Sequence, residues 1–435
     1  MKSFKHTVSE HLLTFQICLM VAFNTILRII SYPWQPNYLV FDEKYYIPQA
    51  IGMAYQEEGR SIGETAYNVF KDTGGFMEAY DNNISDAIAT NDVFQHPPFG
   101  KWLISLGTYF YNDPLNYSGW RFSSVIASIL IVIVIMILAK ALIPENRFVP
   151  LIAGLLVSVD GQLLVMGHMG MLDIFISLFV IVGTLFLILS IKYINRSLLF
   201  SSISGISLGL ATAVKWNSVL WVFAGLIILI IVAIFTKKIK YYFSSLLLLF
   251  SSVFMYLVTW ILSPVGSGNF WNRLVDIFDY HKYVANFLFT SDDGSAVGSS
   301  VPFPFSWIIQ SSDWGYTDCS SGTCKYLINS GNPVLWCGIW LSVISIIVLV
   351  IIKRIDVLYS VPALMFLMGV IPWFSGTRHP WLSYTVQILP LGVICLIAIL
   401  ALIYSKGWGK IFTNFYISII LIISIIMYPN WSMIG

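Results

Sequence analysis

An all-α polytopic membrane protein is the fold class this sequence predicts, on three observations. Hydrophobic residues make up 57% of the 435 and charged residues only 11%, against roughly a quarter charged in a soluble domain. Eleven apolar windows approach the ~20 residues that cross a bilayer, near 11–31, 118–140, 149–166, 172–194, 198–214, 217–235, 241–262, 333–352, 356–373, 382–404 and 410–428. The basic residues also divide by side, as described next.

Lys2 and Lys5 precede the first window. Its run from Leu12 to Ile30 is longer than a signal-peptide core, and Ser31-Tyr32-Pro33-Trp34 offers no small-x-small cleavage pattern, so it is read as a span. An odd number of spans puts the termini on opposite sides. A cytoplasmic N-terminus gathers Lys140, Arg147, Lys192, Arg196, Lys237, Lys238, Lys240, Lys353, Arg354, Lys406 and Lys410 on the cytoplasmic face, as the positive-inside rule expects. Of the 22 carboxylates only Glu10, Glu145 and Asp356 lie there. The net charge of +2 hides this asymmetry and gives no support to a nucleic-acid partner.

The chain reads as one transmembrane domain over 1–435, interrupted by two long extracytoplasmic loops, 32–117 and 263–332. The first loop carries Phe41-Asp42-Glu43-Lys44-Tyr45-Tyr46, a short interfacial helix near 48–59, and a Gly, Asn, Asp and Glu-rich irregular stretch over 60–92. Asp42 and Glu43 admit two readings: acids favouring the positive end of the helix that follows, or chemistry at a membrane surface. The second loop, with an aromatic and charged run from Phe270 to Tyr283, reads as irregular and Gly-rich, which predicts a lid or a partner surface over the first. Within it Cys319 and Cys324 bracket Ser-Ser-Gly-Thr; an oxidising compartment permits a disulfide there, with a metal site as the alternative, though no histidine is near in sequence.

Candidate chemistry clusters at the outer ends of the spans. His96 and Lys101 flank paired prolines in Gln95-His96-Pro97-Pro98-Phe99-Gly100-Lys101, which fix the entry into a helical turn. Arg121 stands just inside the second span, either as a functional cation or snorkelling to headgroups. Asp160, His168 and Asp173 mark the junction of the third and fourth spans, where ionisable groups are costly unless wet or paired. Lys215, at the fifth-to-sixth turn, and Arg378, between the ninth and tenth spans, break the basic-inside trend and point to an anion at the outer leaflet. Lys101, Arg121, Lys215 and Arg378 thus suit a lipid-linked phosphate, and a nearby carboxylate suits a general base.

The ordered set of these features resembles the protein O-mannosyltransferases, and more narrowly their bacterial, actinobacterial-type members. It comprises Asp42-Glu43, His96-Pro97-Pro98-Phe99-Gly100-Lys101, Arg121, Met171-Leu172-Asp173, Lys215-Trp216, Gly331-Asn332-Pro333-Val334, and Arg378 followed by Tyr384 and Pro390. The likeness spans about 28–430. It implies a GT-C fold and inverting transfer of mannose from polyprenyl-phosphate mannose to Ser or Thr of a secreted polypeptide. Asp42 matches the family's essential acid and is read as the base, Glu43 matches the second acid, positioning acceptor or sugar, and Arg121, Lys215 and Arg378 match basic positions, read as donor-phosphate ligands from charge and depth, with Lys101 a weaker candidate. His96, Asp173 and Tyr384 would support them. No cofactor and no metal are required by that scheme. Partners are the lipid-linked donor, the polypeptide acceptor, membrane lipid and, as a candidate, the secretion translocon. The enzyme would be a multi-pass cell-membrane protein with its active site extracytoplasmic. The run Trp373–Pro380 lacks the family's stretch of Phe and Tyr after the arginine.

A related transferase, passing the sugar to a lipid or cell-wall glycan, would use the same carboxylate and cations. A transporter would place ionisable groups near the bilayer midplane and often carry internal repeats. Here the charges gather at one face and no repeat is present.

Overall fold

The computed structural model describes residues 2–31, 39–43, 45–47, 49–51, 53–54, 96–113, 116–263, 269–290, 301–319, 324–374 and 379–433. Long runs of Leu, Ile, Val and Phe are helical throughout. In hydrocarbon every backbone N–H and C=O must find its partner within the segment, and the helix does this whatever the β-propensity of the residues.

In chain order the helices are α1 (Lys2–Ser31), α2 (Pro98–Tyr111), α3 (Tyr117–Leu142), α4 (Val149–Ser158), α5 (Gly161–Gly167), α6 (Asp173–Lys192), α7 (Ser197–Val214), α8 (Val219–Thr236) and α9 (Lys240–Ile261). They continue with α10 (Phe270–Thr290), α11 (Phe305–Ile309), α12 (Pro333–Ile351), α13 (Ser360–Val370), α14 (Leu389–Tyr404) and α15 (Gly409–Ser432). A hairpin of β1 (Gly315–Asp318) and β2 (Lys325–Ile328) precedes α12, antiparallel with Gly315 opposite Ile328. Wherever they are described, residues 43–54 are also helical.

Every predicted apolar window is helical, but eleven uninterrupted spans are not what the structure contains. Among the described residues nine helices are long and apolar enough to cross a membrane. The third window is a pair, α4 and α5, bent by 62°. The tenth begins with a 3-10 turn over Leu382–Gln387, and only α14 continues as α-helix. Pro390 sits in the first turn of α14, where its missing N–H and fixed φ suit a helix start.

The break between α4 and α5 is built by Asp160. Its carboxylate caps α5 through Gln162 N–H (3.0 Å) and accepts from Asn332 N–H (2.8 Å) and the Trp336 indole (3.2 Å). Asn332 in turn caps α12 and donates to the Ile420 carbonyl and Ser424 hydroxyl of α15, both at 2.8 Å. Asp160 and the Gly331–Val334 motif therefore join three helices of the frame and stand apart from Asp173.

Helices α6, α7 and α9 pack side by side. Lipid tails are as apolar as leucine, so close backbone approach and polar contacts decide which faces meet. A Cβ on Gly205 would fall 2.2 Å from the Leu248 carbonyl oxygen, and one on Gly209 2.4 Å from that of Ser252. The spacing is small-xxx-small. The same seam carries Ser197–Ser244 (2.6 Å), Ser202–Ser251 (2.9 Å) and Ser252 donating to the Gly205 carbonyl (2.9 Å).

The aromatic run of the second loop is a regular helix, α10, rather than irregular chain. It is seated by the Arg273 guanidinium, which donates to the carbonyls of Trp260 and Ser263 at the end of α9 (3.1 and 2.6 Å). Cys319 and Cys324 are disulfide-bonded at the turn end of the hairpin, next to the Asp318–Lys325 pair, which sets the metal alternative aside.

Thiol titration of the denatured, unreduced protein is expected to count three free cysteines, Cys18, Cys337 and Cys395. Gly205→Val is expected to cost about 1–3 kcal/mol through overpacking, seen as a lower melting midpoint in detergent; an unchanged midpoint would mean α7 and α9 separate without penalty.

Candidate active site

The Asp42-Glu43 pair splits into two functions because the chain turns between its side chains. Phe41 adopts a left-handed φ of 52°, and Glu43 N–H closes the turn on the Val40 carbonyl (3.1 Å). Glu43 then points inward. Its Oε1 accepts from Arg121 Nε (2.8 Å) and Gly170 N–H (2.6 Å), and its Oε2 from Arg121 Nη2 (2.6 Å) and Val40 N–H (3.0 Å). Both side chains are wholly buried. Two acceptor sites on each oxygen are filled, the full capacity of a carboxylate. A Cβ on Gly170 would come within 2.6 Å of Ile47 Cδ1 and 3.3 Å of Glu43 Oε1, so a larger residue here would displace the Ile47 side chain.

Asp42 remains half-buried. Its Oδ2 accepts from the Tyr46 hydroxyl (3.3 Å), one helical turn on. Burial first, and then the negative charges of Asp42 and Asp173, hold the Tyr46 phenol well above its ordinary pKa, so it stays a donor.

Lys215 ends α7 and Asp173 opens α6. The Lys215 Nζ lies 3.4 Å from Asp173 Oδ1 and 4.6 Å from the ring centre of Tyr384, whose other neighbour is the stacked Trp373 (4.6 Å, 21°). Gln387 Nε2 donates to the same Asp173 oxygen. Burial lowers the Lys215 pKa, but Asp173, Tyr384 and Asp42 outweigh it, and the net shift is upward. The ammonium is thus charged across the physiological range.

An aromatic wall stands beside Asp42. Phe41 stacks on Trp314 (5.0 Å, 9°) and meets Trp381 edge-on (5.2 Å, 71°), and His379 packs against Trp381 (4.6 Å). Asp313 accepts from Leu382 N–H and from Asn329 Nδ2, tying the hairpin to the 382–387 turn. The site therefore draws on both long loops, the start of α6 and the α7–α8 turn.

Of the residues predicted from sequence, Asp42, Asp173, Lys215 and Tyr384 come together. His96 lies against Tyr46, ring centres 5.8 Å apart, at the edge of this group. Three expectations are corrected. Glu43 and Arg121 are wholly buried and paired with each other, in place of the substrate and phosphate roles expected of them. Lys101 is wholly buried, its Nζ donating to the His96 carbonyl (2.9 Å), and burial pushes it down to about 7, unlike a standing phosphate ligand. Asp160 serves the frame, and His168 is buried, pushed to about 3 by desolvation and the nearby Arg28 charge, hence neutral. Arg378 lies outside the described residues.

Residues the sequence reading missed are Tyr46, Gln387 and the Phe41, Trp314 and Trp381 wall. Tyr46 was legible as an i+4 partner of Asp42. The others meet the site only through tertiary contacts between distant segments.

The family model described as dolichyl-phosphate-mannose-protein mannosyltransferase matches residues 95–260. A polyprenol-phosphate-mannose–protein mannosyltransferase of Corynebacterium glutamicum is 25% identical over 85% of this chain and 78% of its own length. One of Mycolicibacterium smegmatis is 23% identical over 90% and 83%. The Saccharomyces cerevisiae protein O-mannosyltransferase Pmt1–Pmt2 complex, solved with the sugar donor, superposes with a TM-score of 0.70 at 12% identity, covering 97% of this chain and 90% of that one. The chain has the GT-C glycosyltransferase fold. ArnT from Cupriavidus metallidurans shares it, with a TM-score of 0.58 at 15% identity over 97% and 76%. The sequence resemblance to protein O-mannosyltransferases is thus met by the family model and the relatives, and the fold is that of a multi-pass membrane protein.

Arg121→Ala leaves the Glu43 carboxylate buried without its cation, and is expected to cost about 3–5 kcal/mol. The measurement is yield and thermal midpoint of folded protein; the double change Glu43→Gln with Arg121→Met is expected to recover part of the loss, and a stable, active Arg121→Ala protein would refute the structural assignment.

Proposed function

We propose that this transferase moves mannose from polyprenyl-phosphate mannose to a Ser or Thr hydroxyl of a secreted polypeptide, with inversion at the anomeric carbon. The observation that carries the reading is the division of labour between adjacent acids: Glu43 is sealed in the protein while Asp42 stays open beside the Lys215 ammonium. Asp42 takes the proton of the acceptor hydroxyl as its oxygen attacks the anomeric carbon. The bond from that carbon to the phosphate oxygen breaks, and polyprenyl phosphate leaves with the electron pair. Lys215, oriented by Asp173 and Tyr384, neutralises charge on the departing phosphate, the interaction that strengthens most along the reaction. Tyr46 fixes the rotamer of Asp42 by its hydrogen bond, so that the base is aligned before substrate arrives.

The donor and the protein acceptor are those named for the relatives. The outer placement of the site, and an N-terminus on the cytoplasmic side, follow from the basic loops. A phosphate leaving group needs cations and a base, so the scheme requires no metal or cofactor.

Transfer of radiolabelled mannose from the lipid-linked donor to a Ser/Thr-rich peptide, in membranes carrying the full chain, tests this. Asp42→Asn is expected to lower the rate by about 10²–10⁴-fold, as loss of a general base does, with normal insertion. Lys215→Gln is expected to lower kcat as well as donor affinity. Wild-type turnover in Asp42→Asn would remove the base assignment. Label recovered only in a lipid or glycan fraction, again lost with Asp42→Asn, would keep the mechanism and change the acceptor.

A further inference from the structure

The end of the bundle far from Asp42 contains a second place built for an anion. Helix α6 begins at Asp173 in the active site and its 20 residues end at Lys192, a rise of about 30 Å. There a cavity of about 460 Å³ is lined by Lys192, Tyr193, Ile194, Asn195, Arg196 and Phe200.

Its walls are held from two sides, by the end of α3 and the start of α9. Lys192 Nζ donates to the Ala141 carbonyl at the end of α3 (2.7 Å), Lys240 Nζ to the Asn195 carbonyl (3.0 Å), and the Tyr241 hydroxyl to the Ile191 carbonyl (2.8 Å). The rings of Tyr193 and Phe200 meet edge-on (6.3 Å, 62°), and Phe186 backs Phe200 (6.0 Å). No carboxylate lines the cavity. Arg196 is exposed, and its guanidinium makes no hydrogen bond or ion pair with any described residue. Leu198 and Leu199, which follow, are 38% and 57% exposed, so the cavity opens beside a lipid-facing helix surface.

We propose that this cavity binds the phosphate of an anionic phospholipid headgroup, between Arg196 and Lys192, with the glycerol region against Tyr193 and Phe200. The positive-inside rule supplies basic residues at this end in any case. It does not supply a pinned concavity with aromatic walls and a guanidinium without a partner, and basic pockets between helices are the form in which anionic headgroups are recognised. A soluble phosphate would use the cations equally well but would gain nothing from the aromatic and leucine surface; that surface favours the lipid. The inference is independent of the proposed reaction.

The test is native mass spectrometry of the full-length protein in zwitterionic detergent, titrated with phosphatidylglycerol or phosphatidylcholine, with inorganic phosphate as competitor. Phosphatidylglycerol is expected to be retained in preference to phosphatidylcholine. Arg196→Gln, which breaks no contact within the protein, is expected to weaken its retention about tenfold, the loss of one charge-assisted hydrogen bond, with an unchanged melting midpoint. Lys410→Gln, another basic residue predicted on that side, is expected to leave retention unaltered. Equal weakening by both variants would show general surface attraction, and wild-type retention in Arg196→Gln would remove the site; either overturns the proposal. Complete displacement of lipid by millimolar phosphate would assign the cavity to a soluble anion instead and overturn it too.

Discussion

The buried pair of Glu43 and Arg121 is the contact on which the active site depends. A fully desolvated ion pair is not a source of stability in itself, because withdrawing both charges from water offsets most of their attraction. What it supplies is position. Arg121 belongs to the first turn of a membrane helix, Gly170 to the short link between α5 and α6, and Val40 to the first loop. One carboxylate with its four acceptor sites filled fixes the phase of the loop against two elements of the bundle. A one-residue slip would bury Asp42 and expose Glu43, leaving a charge without a partner. The adjacent residue is thereby directed outward, and the positive φ at Phe41 is the local cost of that turn.

The frame around this contact is held by similar polar contacts, not by apolar burial. In a bilayer, leucine gains little by moving from lipid to protein, so specificity falls to close backbone approach and to hydrogen bonds. The Gly205 and Gly209 seam sets α7 against α9, and so places Lys215 at the end of α7. Asp160 and Asn332 set α5, α12 and α15. The same rule explains why the third span can break: the backbone groups freed at Asp160 are taken up by its carboxylate and by the Gly331–Val334 segment.

Much of this was legible in the sequence, and what was not has a physical reason. Hydropathy locates spans because the bilayer imposes one length on all of them, and the windows over α3, α6, α8 and α12 emerge as helices. It does not see a bend, which follows from tertiary partners of Asp160 170 or more residues distant. The cations were chosen by depth and charge, which Arg121, Lys101 and Lys215 share. Only the partner distinguishes them: the Glu43 carboxylate for the first, a backbone carbonyl for the second, the Asp173 carboxylate and the Tyr384 ring for the third. Phe270–Tyr283 was read as irregular because its charges obscure an amphipathic period, whereas the structure shows exposed Phe270, Trp271, Val275 and Phe278 along one helix.

Charge balance in the site carries the argument one step further. Among the described residues the cluster holds two carboxylates, half-buried Asp42 and buried Asp173, against the single buried ammonium of Lys215. A lipid-linked phosphate adds a further negative charge, and in a half-dry site like charges a few ångströms apart are costly. Asp173 is therefore best understood as the group that fixes Lys215 in place, its own charge largely spent on that ammonium and on Gln387. In the proposed reaction the charge of Asp42 would be relieved as it takes the acceptor proton, when the departing phosphate needs a cation most. A second basic group facing the phosphate would complete the balance.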